Sequence, residues 1–250
     1  MNNEQDTIIG RIPVLECLRA QKRKALQLFL LQSGRGLEEI EDAACHIPTQ
    51  HTSRQELDRL ANGENHQGVI LLAKPLHLRT LNEWLARDIA KDAFIVILDC
   101  VEDPHNFGAI VRSAAACGAA AILFARDRSA PISPTTMKSA AGAMEHIDLI
   151  QVPNIARAAK ELKKHEFWIA ALMPEAPQVL WEANLRGRIA LVVGNEGKGI
   201  RPLVEKQCDL TVRIPLTGAI TSLNASVSTA IALAECVRQR YVSKPSAPPS

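Results

Sequence analysis

From residue 94 onward, short aliphatic runs alternate with helical patterns, and this alternation constrains the fold more than any other feature. Residues 94–98, 120–124, 147–152, 167–172, 189–193 and 210–214 read as strands. The run at 189–193, Ile-Ala-Leu-Val-Val, has no polar alternation, which suits a strand buried on both faces. Helical patterns fall at 108–117, 155–164 and about 222–241; in the last, Leu223, Val227, Ile231, Ala234 and Val237 share a face. Strands that alternate with helices predict an α/β fold with a mainly parallel sheet and helices on both faces.

The preceding region is a smaller α/β unit. Ile12, Leu15 and Leu18 recur at helical spacing within 10–20, residues 26–31 read as a strand, and 37–46 as an acidic amphipathic helix. Ser53 with Glu56 predicts a capping box that points Leu57, Leu60 and Ala61 inward, and 68–73 reads as a buried strand. Pro75 stops that strand, and Thr80 with Glu83 predicts a second capped helix through Ile89. The expected division is a first domain over 1–74, a linker over 75–92, a second domain over 93–242 and a disordered Pro/Ser-rich tail over 243–250. A length of 250 residues, 47% of them hydrophobic, suffices for two packed cores.

Composition excludes several classes. The six cysteines form no C-x-x-C pair and have no accompanying histidine cluster, so no zinc site is expected. The polar start lacks an apolar secretory segment, and the apolar runs are too short to span a bilayer. A reduced, soluble, cytoplasmic protein is expected, with cysteines as small core residues. The net charge of +2 alone marks no nucleic-acid binder. Arg19, Lys22, Arg23 and Lys24 do form a local basic cluster, either a phosphate-contacting patch or a solvated helix end.

Ligands of open α/β sheets bind at the carboxyl ends of strands, and three such ends are rich in glycine and polar residues. The first runs from Asp99 to Arg112: Asn106 can cap the next helix, Gly108 allows close approach, and Arg112 either meets a phosphate or carboxylate or is a plain surface side chain. The second is G-N-E-G-K-G at 194–199, whose glycines serve a ligand or a plain turn. The third, 214–228, places Ser222 and Asn224 at the start of the last helix, where free N–H groups favour an anion, or Ser222 simply caps the helix. None of these matches a dinucleotide fingerprint or a P-loop.

Taken in order, N-x-x-G-x-x-x-R, G-N-E-G-x-G and I-P-x-x-G-x-x-x-S-L-N-x-S-V resemble the three motifs of the SpoU (TrmH) class of RNA 2′-O-ribose methyltransferases, over residues 94–241. The first region, with H-Q-G at 66–68, R-D-R-S-A at 126–130 and the following A-A-G-A-M-E-H-I, resembles the RlmB-type subgroup, in which a small ribosomal-protein-like RNA-binding domain precedes the catalytic one. The resemblance implies a SPOUT-type α/β knot, with a trefoil-knotted C-terminal segment that general topology rules would not anticipate. It implies S-adenosylmethionine as methyl donor, held around Gly194, Ile214 and Leu223 with Leu216, Gly218 and Ser226 nearby, and S-adenosylhomocysteine as product. It implies Asn106, Arg112, Glu196, Ser222 and Asn224 as the catalytic set, and a homodimer with the active site near the subunit interface. Ribosomal RNA is the expected substrate, at a large-subunit guanosine, with the basic cluster of the first domain meeting it. Transfer RNA is the alternative substrate, and a non-catalytic RNA-binding or ribosome-assembly factor the alternative of another kind.

Overall fold

A computed structural model describes residues 5–242; the tail expected at 243–250 lies outside the described residues. The N-terminal domain runs β1 (Asp6–Ile9), α1 (Arg11–Ala20), β2 (Ala25–Leu31), α2 (Glu38–Ala43), β3 (Thr49–Thr52), α3 (Arg54–Ala61) and β4 (Val69–Ala73). Its sheet has the order β1-β4-β2-β3, with β4 antiparallel to both neighbours and β2 parallel to β3. Sequence patterning finds the two inner strands and misses the two edges. At four residues each, β1 and β3 are too short for a periodicity to emerge, and three of the four residues of β3 face solvent.

The stretch expected as a linker is anchored on the second domain through Arg79, Leu81 and Trp84, while most of its other residues are exposed. Arg79 forms a parallel bridge with Ile150, donating to Leu149 O at 2.8 Å and accepting from Gln151 N at 3.0 Å. The capping box of Thr80 and Glu83 forms in full and opens α4 (Leu81–Leu85), which ends four residues before the expected Ile89. Trp84, 2% exposed, sits 6.0 Å from the Phe167 ring, and Arg79 and Arg87 both reach Asp148.

The second domain continues with β5 (Phe94–Asp99), α5 (Pro104–Ala116), β6 (Ala121–Ala125), α6 (Pro134–Ser139), β7 (Asp148–Val152), α7 (Ile155–Lys164), β8 (Trp168–Leu172), β9 (Gln178–Val179), β10 (Ile189–Gly194), α8 (Pro202–Glu205), β11 (Leu210–Arg213) and α9 (Ala225–Val242). Its seven strands pair in parallel in the order β7-β6-β5-β10-β8-β11-β9. The central strands β5 and β10 are buried on both faces, which explains their unbroken aliphatic runs.

Two helix starts differ from expectation. Asp103, not Asn106, caps α5, accepting from His105 N and Asn106 N at 3.2 and 3.1 Å, with Pro104 at the first helical position. Asn224, not Ser222, caps α9, its Oδ1 accepting from Ser226 N at 2.9 Å and Val227 N at 3.3 Å.

The two sheets share one continuous set of buried apolar side chains, from Ile8, Val14 and Leu28 to Val96, Phe107 and Met144. Polar ties reinforce this contact. Arg23 bridges Asp6 at 2.6 Å and Glu145 at 2.5 Å, Glu64 accepts from Thr135 at 2.6 Å and Lys138 at 3.1 Å, and His146 meets Glu16 at 2.7 Å. Cys17 and Cys236 lie in the core, where burial pushes both thiols up to about 11, while Cys45 is exposed.

Candidate active site

In the β7-to-β9 order, β5 and β10 are the neighbours at which the chain reverses its direction across the sheet, and there Asp99 stands opposite Gly194. Such a switch point leaves a crevice beyond the strand ends. The loop after β10 folds into it as a tight closure. Asn195 and Gly199 exchange backbone hydrogen bonds at 3.1 and 2.9 Å, and Asn195 Oδ1 accepts from Gly197 N and Lys198 N. A Cβ on Gly194 would stand 2.4 Å from Gly199 C, so only glycine fits under this loop.

The side chain of Asn195 ties the loop to β5 by donating to Cys100 O at 3.0 Å. Asp99, fully buried, adds a second tie: it accepts from Arg201 N at 2.8 Å and from Arg201 Nε at 2.7 Å. Hydrogen bonding to Asp99 pushes the Arg201 guanidinium above its ordinary value. A buried carboxylate next to a glycine-rich loop needs such a partner.

Glu196 is the centre of the cluster. Its Oε1 accepts from Asn106 Nδ2 at 2.8 Å, from Asn224 Nδ2 at 2.6 Å and from Ala225 N at 3.3 Å. Asn224 Nδ2 also donates to Asn106 Oδ1 at 2.9 Å, so each amide is oriented by the other. Three segments far apart in sequence thus meet on one carboxylate oxygen. Beside them opens a cleft of about 720 Å³ at the ends of β8, β10 and β11. Its walls include Gly194, Glu196, Ile214, Leu216, Gly218, Ser222 and Leu223.

Asn106, Glu196 and Asn224 therefore meet directly, and Ser222 lines the cleft that Glu196 also lines. Ser226 is absent from that wall; its hydroxyl donates to Asn224 Oδ1 at 2.6 Å. Arg112 is not drawn into the cluster. It is exposed on α5, six residues past Asn106, which at roughly 100° per residue turns it about 120° away from that side chain. In the basic cluster, Arg23 is corrected by the structure: its side chain is 5% exposed and clamped by Asp6 and Glu145, so it has no face left for phosphate. Arg19 is paired with Glu16 and Glu39, whereas Lys22 and Lys24 remain exposed. Sequence reasoning missed Asn195, Arg201 and the Asp103 cap. The Asp-Pro pair at 103–104 was a readable helix-start signal, but nothing local announces the pairing of Asp99 with Arg201.

The family model of the SpoU rRNA methylase family matches residues 93–234, and a model described as RNA 2′-O ribose methyltransferase substrate binding matches residues 7–79. A relative from Vibrio parahaemolyticus, 23S rRNA (guanosine-2′-O-)-methyltransferase RlmB, is 38% identical over 98% of this chain and all of its own length. The protein of the same name from Escherichia coli K12 is 43% identical over 78% of this chain and 80% of its own. A crystal structure of an RNA 2′-O ribose methyltransferase superposes with a TM-score of 0.81 at 31% identity, covering 95% of this chain and 90% of that one. The SpoU methyltransferase AviRb from Streptomyces viridochromogenes, solved with AdoMet, shares the fold at a TM-score of 0.81 and 19% identity, over 96% of this chain and 92% of its own. The chain belongs to the SpoU rRNA methylase family.

Proposed function

We propose that this protein transfers the methyl group of S-adenosylmethionine to the ribose 2′-hydroxyl of a guanosine in 23S rRNA. The observation that carries the proposal is Glu196 Oε1, which gathers Asn106, Asn224 and the first amide of α9 beside the cleft. The names of the two RlmB relatives, alike over most of this chain, support the substrate.

The cleft fits the donor. Its volume of about 720 Å³ lies within the range of roughly 300–1,000 Å³ usual for small-molecule sites. Gly194, Ile214, Leu216, Gly218 and Leu223 offer apolar walls and backbone groups, a donor set suited to an adenine ring and a thioether. When bound, S-adenosylmethionine supplies an activated sulfonium methyl.

The ribose hydroxyl is the sluggish partner, and the side chains act on it. Holding it in line can contribute up to roughly 7–11 kcal/mol. It must also lose a proton, and Arg112 cannot accept one, because a guanidinium stays protonated in proteins. Arg112, turned away from the cluster of its own chain, instead grips the adjacent phosphate from across the homodimer interface with its planar fork and stabilises the developing alkoxide; a phosphate oxygen or a water takes the proton. Asn106, Glu196, Asn224 and Ser222 fix the loops around the cleft. The working unit is a homodimer with the site near the interface. Leu216, Ile220, Leu223 and Val227, exposed apolar side chains on and beside the cleft, support that reading. The trefoil knot implied by the resemblance belongs to the same reading, as does a cytoplasmic location. Among the described residues no helix is long and apolar enough to cross a membrane.

The test is methyl transfer from labelled S-adenosylmethionine onto unmodified 23S rRNA, with mapping of the modified nucleotide. The expected product is one 2′-O-methylguanosine. Methylation of transfer RNA alone, or of no RNA, overturns the proposal.

A further inference from the structure

A second hollow, about 750 Å³, opens in the N-terminal domain between the start of α1, the loop after β2, the start of α3 and the loop before β4. Three arginines stand around it: Arg11, Arg35 and Arg54. Arg11 builds the wall. It donates from Nε to Gln67 O at 3.1 Å and from its two terminal nitrogens to Gly36 O and Arg35 O at 3.3 and 2.8 Å, joining two loops. Behind them His66 is 6% exposed; its Nδ1 accepts from Gly68 N at 2.9 Å, which leaves Nε2 to donate to Asp58 at 3.1 Å. The hollow is thus held open by its own hydrogen bonds.

Its free charge is positive. The two acids on its wall are engaged: Asp58 receives His66, and Glu64 receives Thr135 and Lys138. The Arg54 side chain is 81% exposed, 4.0 Å from Asp58, and the exposed Arg35 guanidinium has no partner among the described residues. One unspent fork, Arg35, and a second, Arg54, held only by a long and exposed ion pair to Asp58, stand over a nucleotide-sized hollow and match phosphate and the face of an unstacked base. The basic cluster at 19–24 lies at the other end of α1, with Arg23 withdrawn and Arg19 paired.

The hollow also connects to the candidate active site. Glu64 on its rim holds Lys138, and the next residue, Ser139, meets His105 at 3.1 Å, directly before Asn106. An RNA lying across the hollow is therefore a few side chains from the methyl-transfer loops of the same chain.

We propose that this hollow, and not the cluster at 19–24, is the principal RNA grip of the N-terminal domain, taking an unpaired nucleotide with its flanking phosphates. The inference rests on the proposed function only in that the substrate is RNA. The test measures binding of a 23S rRNA transcript over a range of salt concentrations, for wild type, R35A/R54A and K22A/K24A. R35A/R54A is expected to bind at least about tenfold more weakly, with a salt slope shallower by roughly 1–2. K22A/K24A is expected to lose less. Unchanged melting temperature and S-adenosylmethionine affinity show that both variants are folded. If R35A/R54A binds as wild type does, or if K22A/K24A loses more, the hollow is not the grip. Binding is read without chemistry, so a wild type that binds the transcript and leaves it unmethylated removes the proposed reaction and not the hollow. A wild type with no affinity for the transcript removes both.

Discussion

A carboxylate oxygen that receives three donors ties those donors to one another, and Glu196 Oε1 links Asn106, Asn224 and Ala225 N in this way. Asn224 is the more exacting partner, because its Nδ2 serves Glu196 and Asn106 while its Oδ1 caps α9. N224A removes both functions. The lost cap costs about 1 kcal/mol of stability, and loosening the cluster is expected to lower kcat/KM at least about tenfold, equivalent to roughly 1.4 kcal/mol. Thermal melting and methyl-transfer kinetics measure the two effects separately. Arg112 gives the complementary case. R112K keeps the charge and loses the planar fork, so kcat is expected to fall at least about tenfold with S-adenosylmethionine affinity unchanged. A lysine enzyme as fast as wild type would remove the fork from the mechanism.

Among the elements, the pairing of α5 with α6 controls where Asn106 points. Gly108 lies against α6 so closely that a Cβ would stand 2.5 Å from Ser139 Cβ and 2.6 Å from Thr136 O. G108A must push the helices apart, at a cost of about 1–3 kcal/mol, visible as a lower melting temperature and as weaker methylation through displaced Asn106. Elements buried on both faces, such as β5 and β10, were legible because solvent imposes no alternation on them. The edge strands β1, β3 and β9 and the four-residue α8 were not, since their pairing partners rather than their own residues determine them. At the site, Asn106, Glu196 and Asn224 were legible through the order and spacing of their motifs. Arg23 was misread because the charges that hold it, Asp6 and Glu145, are 17 and 122 residues away. Asp99 with Arg201, 102 residues apart, escaped for the same reason.

For the whole molecule, the contact between the two domains is the feature most exposed to perturbation. Arg23 and Glu145 are 5% and 3% exposed, so R23A strands a buried carboxylate and is expected to destabilise the fold by about 3–5 kcal/mol. Chemical denaturation measures it. Asp148 anchors the connecting segment in a similar way. Burial tends to raise its pKa, but hydrogen bonds from Arg79 and Arg87 outweigh burial and hold it below its ordinary 3.8. Its contribution is therefore complete above that ordinary value and is lost as the pH falls through the depressed one. D148N should lower the melting temperature at neutral pH and flatten its fall below about pH 4; an unchanged acid limb would show that Asp148 contributes nothing to it.

Arg23, Glu64 and Glu16 fasten the N-terminal sheet to the catalytic one. A reader and a writer joined so firmly act as a ruler. The span between the place where RNA is gripped and the place where the methyl is delivered is set by the protein, and an RNA is modified where its own shape places a ribose at that distance. The choice of nucleotide then becomes a matter of reach within a folded substrate, and any change that slackens the joint should spread the modification over neighbouring sugars before it abolishes it.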